Sequence, residues 1–175
     1  MSLKNKKILV ITSCSAKKKR ISAPIRAIDL YQGDFFKKVK KFALLNQFDL
    51  NIISAKYGLI TSDEEISYYN VRIKNHADIQ HLKPKVIPKL KNMTYNYDKI
   101  LILMGIDYKK IIESAVNEKF IHFFDKRGLG GYLSLMNDLL QLNQKQLYKL
   151  LFEQKSNPIT AKLIKSYKYK FRKLV

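Results

Sequence analysis

The chain has no tryptophan, a single cysteine and only 14 acidic residues among 175, and each shortage excludes something. One cysteine, Cys14, excludes an internal disulfide and a cysteine-rich metal site, and it fits a reducing, cytoplasmic compartment. Without tryptophan the core has to be built from Ile, Leu, Val, nine Phe and eleven Tyr. Long apolar runs are also missing. None approaches the ~18 residues of a membrane span, and the apolar stretch in MSLKNKKILVIT is too short for a signal peptide, so no membrane association is expected.

The shortage of acid is the most extreme, because 34 Lys and Arg leave a net charge of +20. Two readings stand. Such a charge attracts a polyanion, nucleic acid or a phosphorylated metabolite, while a lysine-rich surface of the thermophile kind carries it without any partner. Lysine dominates over arginine, which favours point-charge contact with phosphate over bidentate reading of bases.

Short apolar runs at residues 7–12 (KILVIT), 50–54 (LNIIS), 99–104 (KILILM) and 120–124 (FIHFF) have the length and β-branched content of strands buried on both faces. Helical periods lie between them. Residues 34–45 place Phe35, Val39 and Phe42 on one face and lysines on the other, with Asp34 as the expected cap; residues 107–116 and 132–142 repeat the pattern. This alternation predicts an α/β fold, a mainly parallel central sheet of four or more strands flanked by helices. After residue 143 the pattern is helical and nearly free of acid. The expectation is an α/β domain over 1–143 and a basic helical C-terminal extension, 144–175, packed on it, with Asn157 and Pro158 starting its last helix.

In open parallel sheets ligands sit beyond the carboxyl ends of the strands. The first run is followed by Ser13, Cys14, Ser15 and Lys17. The second leads into SAKYGLITSDEEISYYN, with Ser54, Lys56, Tyr57, Gly58, Asp63, Glu64 and Glu65. Gly105 and Tyr108 follow the third, and Gly128, Gly130 and Gly131 the fourth. Ser13, Cys14, Ser54, Gly105 and the loop 128–131 are therefore expected to converge on one cleft. Alternatives stay open at several of these positions. Cys14 has no histidine near it in sequence and reads as a small packed or hydrogen-bonding residue more readily than as a nucleophile. Residues 17–20 could be a solvated charge run, and GLGG a tight turn or an anion cradle at a helix start. His76, His81 and His122 lack metal spacing, so no metal or other cofactor is implied.

The segments ITSCSAKK, APIRAIDLYQGDFFK, ISAKYGLITSDEEISYYN, LMGIDYKKII and RGLGGYLSLMNDLL resemble a family of small uncharacterised α/β domains of archaea, bacteria and phages. In motif order they are similar to the YaaA peroxide-stress proteins, with a weaker echo of archaeosine synthase, over roughly residues 7–142. The resemblance implies a nucleic-acid-associated domain, DNA-binding in the first group and base-modifying in the second. The matching positions are Ser13, Ser15, Lys17, Tyr31, Gly33, Ser54, Tyr57, Gly58, Glu65, Tyr69, Gly105 and Tyr108. The arginine-glutamate element that follows the acid-tyrosine segment in YaaA proteins is missing here.

The functional expectation is a nucleic-acid-associated protein with a nucleobase- or nucleotide-sized pocket, a base-modifying or glycosylase-type enzyme or a non-catalytic DNA- or RNA-binding protein. An enzyme on a small phosphorylated metabolite is the third option. Glu65 and Asp63 are the candidates for acid-base work, with Lys17 in the same catalytic set. Lys17 and Lys56 would bind phosphate, and Tyr57 or Tyr69 would stack a base. The remaining pocket candidates are Ser13, Cys14, Ser15, Tyr31, Ser54, Gly58, Gly105, Tyr108, Gly128 and Gly130. Lys162, Lys165, Lys168 and Arg172 on the tail are the expected phosphate contacts to nucleic acid.

Overall fold

The computed structural model describes residues 3, 5–123, 125 and 127–153. The chain opens with β1 (Ile8–Ser13), a short β2 (Ile25–Arg26), a single helical turn α1 (Ala27–Leu30) and the thirteen-residue α2 (Asp34–Asn46). Then come β3 (Asp49–Ser54), β4 (Gly58–Thr61), β5 (Glu65–Ile66) and the long α3 (His76–Thr94). The last part holds β6 (Lys99–Leu103), α4 (Ile106–Ile112), β7 (Phe120–His122), α5 (Leu129–Gln141) and α6 (Gln144–Phe152).

The four apolar runs form the parallel strands β3, β1, β6 and β7, side by side in that order, and β4 closes the β3 edge antiparallel. The fold is therefore α/β with a mainly parallel sheet. Strand alternation divides the core. Ile8, Val10, Leu50, Leu101 and Leu103 face α2, α5 and α6, whereas Leu9, Ile11, Ile53, Ile100 and Ile102 face α3 and α4. α6 contributes Leu147, Leu150 and Leu151 to the first of these layers. β1 is buried on both faces and hydrogen-bonded on both sides, and Thr12 adds a side-chain bond to the carbonyl of Leu103 at 2.8 Å.

Several boundaries depart from expectation for local reasons. α2 is capped by Gly33, not Asp34, which becomes its first residue; the buried face is Phe36, Val39, Phe42 and Ala43, and Phe35 turns aside, half-buried. The helix 107–116 stops at Ile112 and tightens into a 3-10 turn over Glu113–Ala115. α5 starts at Leu129, so Gly130 and Gly131 already lie in its first turn, with Gly128 supplying the left-handed backbone before it (φ 72°).

α3 is the element that sequence patterning misses. It contains Pro84 and Pro88, each removing a helical donor. It forms because Ile79, Leu82, Val86 and Leu90 make a buried stripe at helical spacing, both prolines stay on the exposed side, and Asn75 with Asp78 builds a reciprocal capping box.

Candidate functional site

The connection from β1 leads to β3 on one side, and the connection from β6 leads to β7 on the other. Chain segments thus diverge above the β1/β6 pair, and a crevice opens at the carboxyl ends of those strands. A cavity of about 710 Å³ fills it, within the size range of small-molecule sites. Ser13, Cys14, Ser15 and Lys17 come from the end of β1, Gly33 to Phe36 from the start of α2, Gly105 and Ile106 from the end of β6, and Asp125, Gly128, Leu129 and Tyr132 from the approach to α5. The wall is mainly apolar. Phe35 meets Tyr132 edge to face with ring centres 5.4 Å apart.

Of the residues expected at one cleft, Ser13, Cys14, Ser15, Lys17, Gly105 and Gly128 line it. Ser15 is already committed: its hydroxyl donates to the carbonyl of Lys17 and accepts the N–H of Gly33 at 3.1 Å. A Cβ on Gly33 would lie 2.8 Å from the Cβ of Ser15, so glycine there lets the two segments close. Gly130 and Gly131 lie in the first turn of α5, with Gly131 packed against the Asp125 carboxylate. That carboxylate is buried, and Arg127 grips it through Nη2 at 2.7 Å and Nε at 3.0 Å while donating its backbone N–H at 2.9 Å. The helix start offered as an anion cradle therefore has a resident carboxylate beside it.

Ser54, Tyr31 and Tyr69 stand behind the cleft, in a buried cluster with Leu30, Phe36, Ile52 and Ile60. Tyr69 bonds both Ser54 Oγ at 2.7 Å and Tyr31 Oη at 2.8 Å. Burial holds the phenols of Tyr31, Tyr69 and Tyr108 well above the ordinary tyrosine range, so all three stay protonated at neutral pH. Cys14 joins the two spaces: it lines the cleft and packs against the buried cluster, and its Sγ lies 3.1 Å from Tyr108 Oη on α4. Tyr57 packs edge-on to Tyr69, and Gly58 holds φ 75° against Lys85.

Sequence reasoning singled out Lys17 and passed over Lys18. The loop after β1 pairs with the Tyr31 segment through an isolated antiparallel bridge between Lys18 and Tyr31. In such an extended segment neighbouring side chains point to opposite sides. Lys17 faces the cleft, while Lys18 lies over the Tyr69 ring at 4.3 Å and near Tyr31 at 5.8 Å. Partial burial lowers the Lys18 amine below the usual lysine range. Asp34, Phe35, Ile106, Asp125 and Tyr132 were also not singled out as site residues; the position of each at the cleft depends on which strand ends become neighbours.

The acids expected to do chemistry are elsewhere. Asp63, with its side chain 76% exposed, is 3.8 Å from Arg26 and lines a separate polar hollow with Asp29, Lys40 and Asp49. Glu65 is exposed on β5, opposite Arg26 in the β2–β5 ribbon. Lys56 is exposed, with its amine 4.9 Å from the Tyr57 ring centre. Lys162, Lys165, Lys168 and Arg172 lie outside the described residues. Among the described residues no group of three or more His, Cys, Asp or Glu could hold a metal ion, and no helix is long and apolar enough to cross a membrane.

No curated protein and no solved structure matches the chain. One family model does, that of a family of unknown function, DUF6884, over residues 8–130. The match runs from the first residue of β1 into the first turn of α5 and takes in every segment of the cleft wall except Tyr132. The chain belongs to this DUF6884 family.

Proposed function

We propose that the domain associates with nucleic acid and takes a nucleobase into the β1/β6 cleft. The observation that carries this reading is the wall itself: apolar and aromatic through Phe35, Phe36 and Tyr132, with hydroxyl, thiol and backbone groups of residues 13–15 at one end. A flat ring with polar edges fits such a lining. A small phosphorylated metabolite fits it less well, because the described cations at the wall reduce to Lys17 while Asp34 and Asp125 stand on the other sides. The net charge of +20 supports the nucleic-acid association, as does the resemblance in motif order to YaaA proteins, with its weaker echo of archaeosine synthase. A chemical step on the base would draw on the thiol in the lining, Cys14; the buried carboxylate there, Asp125, is already held by Arg127.

Cys14 is the chain's one thiol, which makes it a clean reporter. Its alkylation rate, followed by mass spectrometry, is expected to fall when nucleosides or nucleoside monophosphates are added and to stay constant with ribose 5-phosphate. Protection by the sugar phosphate alone would favour the metabolite reading. No protection by any nucleoside, together with no heat of binding in calorimetry, would remove the nucleobase.

A further inference from the structure

α2 and α5 leave the cleft side by side, and beyond the Phe35–Tyr132 contact they frame a shallow groove of about 510 Å³. Lys37, Lys38 and Lys41 line it on the α2 side, and Asn137, Leu140 and Gln141 on the other. Lys38 reaches across to Asn137 Oδ1 at 2.7 Å. Lys37 and Lys41 are exposed and make no ion pair among the described residues, whereas Lys40 on the same helix is held by Asp29 at 2.9 Å. The two unpaired amines lie four residues apart, about 6 Å along the helix axis, and Lys17 stands at the cleft wall above them.

Two further features bear on what lies there. Ile106 and Leu129 line the cleft yet are 53% and 65% exposed, a pair of large apolar side chains held in water. Asp34 at the first residue of α2 and Asp125 below the start of α5 place negative charge where a phosphate would otherwise favour a helix N-terminus. The two helix starts are therefore taken by carboxylates, that of Asp125 paired with Arg127, and the cations left for phosphate are Lys17 and those on the flank of α2; Asp138, half-buried on α5, is the described acid on the second helix.

Building on the nucleobase reading, we propose that the ligand is a base within a single-stranded polynucleotide, its phosphates running along α2 over Lys17, Lys37 and Lys41 and the neighbouring base resting on Ile106 and Leu129. Single-stranded substrate follows from the cleft, since a base enters it only when unpaired and unstacked. Lysines contacting phosphate position the strand without reading its sequence, and exposed apolar side chains give the next base a surface to lie on.

The test is the salt dependence of binding to a short single-stranded oligonucleotide and to the matching duplex. Each phosphate contact to a single strand adds about 0.7 to the log–log slope. Lys37→Gln/Lys41→Gln should lower the slope by about 1.4, and Ile106→Ser/Leu129→Ser should weaken binding with the slope unchanged. Lys83→Gln/Lys91→Gln on α3, across the sheet, removes the same charge and should leave the slope alone. An equal fall for both lysine pairs, no fall for the α2 pair, or preference for duplex overturns the proposal. Free nucleoside monophosphate separates the two readings. Binding that depends on Lys37 and Lys41 but is not competed leaves the strand path and removes the cleft occupant; competition without that dependence does the reverse.

Discussion

Ser54 Oγ, fully buried at the end of β3, accepts the backbone N–H groups of Lys56 and Tyr57 at 3.2 and 3.1 Å, and so its one proton goes to Tyr69 Oη, 2.7 Å away. Both lone pairs are in use, which fixes the direction of the bond. Tyr69 in turn has its own proton available to Tyr31.

Tyr69→Phe leaves the Ser54 proton and the Tyr31 hydroxyl each short of a buried partner, and is expected to cost about 1–3 kcal/mol in denaturant unfolding. Ser54→Ala should cost a similar amount by stranding two backbone donors. The double variant should cost less than the sum, because the two changes remove one shared bond. Additive losses would mean the pair is not coupled.

Gly131 and Gly130 give a paired test in one helix turn. A Cβ at Gly131 would sit 2.2 Å from Asp125 Oδ1, whereas one at Gly130 meets nothing within 4 Å. Gly131→Ala should destabilise by about 1–3 kcal/mol through overpacking. Gly130→Ala should be stabilising by about 0.5–1 kcal/mol from helix propensity. Thermal melts of the two variants should therefore move in opposite directions.

His122 is held neutral, its pKa lowered to about 4 by burial and by the charge of Lys109. The unfolded chain binds a proton near pH 6.5 that the folded one refuses, so folding stability should fall as pH drops from 6.5 towards 4, by an amount of order 3 kcal/mol at the lower end. Asp29 and Asp98, whose carboxyls are held below the usual range by Lys40 and by the Lys7 backbone N–H respectively, lose their contribution only below that window. His122→Leu should flatten the stability profile between pH 4 and 6.5, and an unchanged slope would assign it to other groups.

Cys14→Ser preserves a hydrogen-bonding atom opposite Tyr108 Oη, and Cys14→Ala does not. The serine variant is expected to keep both fold and ligand binding. Loss of a measured activity in Cys14→Ser at unchanged melting temperature would make the thiol a reactant, because a hydroxyl does not replace a thiolate nucleophile.

The parallel sheet was legible because β1 and β6 carry unbroken apolar runs and β3 one interrupted only by Asn51, a pattern that burial on both faces demands. α3 was not, since Pro84 and Pro88 argue against a helix locally and only packing of Ile79, Leu82, Val86 and Leu90 on the sheet overrides them. β4 was missed because its four residues read as a strand only once β3 is there to pair with. At the site, the convergence of Ser13, Cys14, Gly105 and Gly128 followed from strand ends alone. The aromatic wall did not, because Phe36 lies off the apolar face expected for this helix and Tyr132 reaches the wall only once α5 packs beside α2 against Phe35. Placing the acids of residues 63–65 at the cleft assumed that the β3 loop folds over it. The short ribbon of β2 and β5 instead leaves Glu65 paired across from Arg26 and exposed.

The central position of β1 also has a meaning for the order of assembly. Its two neighbours, β3 and β6, both come later in the chain, so during synthesis β1 is an apolar strand with both edges unpaired until Ser54 has been added and with one edge still open until Leu103. Pairings of this separation make folding slow and leave such an edge open to association. The cleft is subject to the same schedule: Cys14 acquires its opposite wall only when the last strands are in place, so a partly made or partly unfolded chain keeps its basic surface but has no pocket.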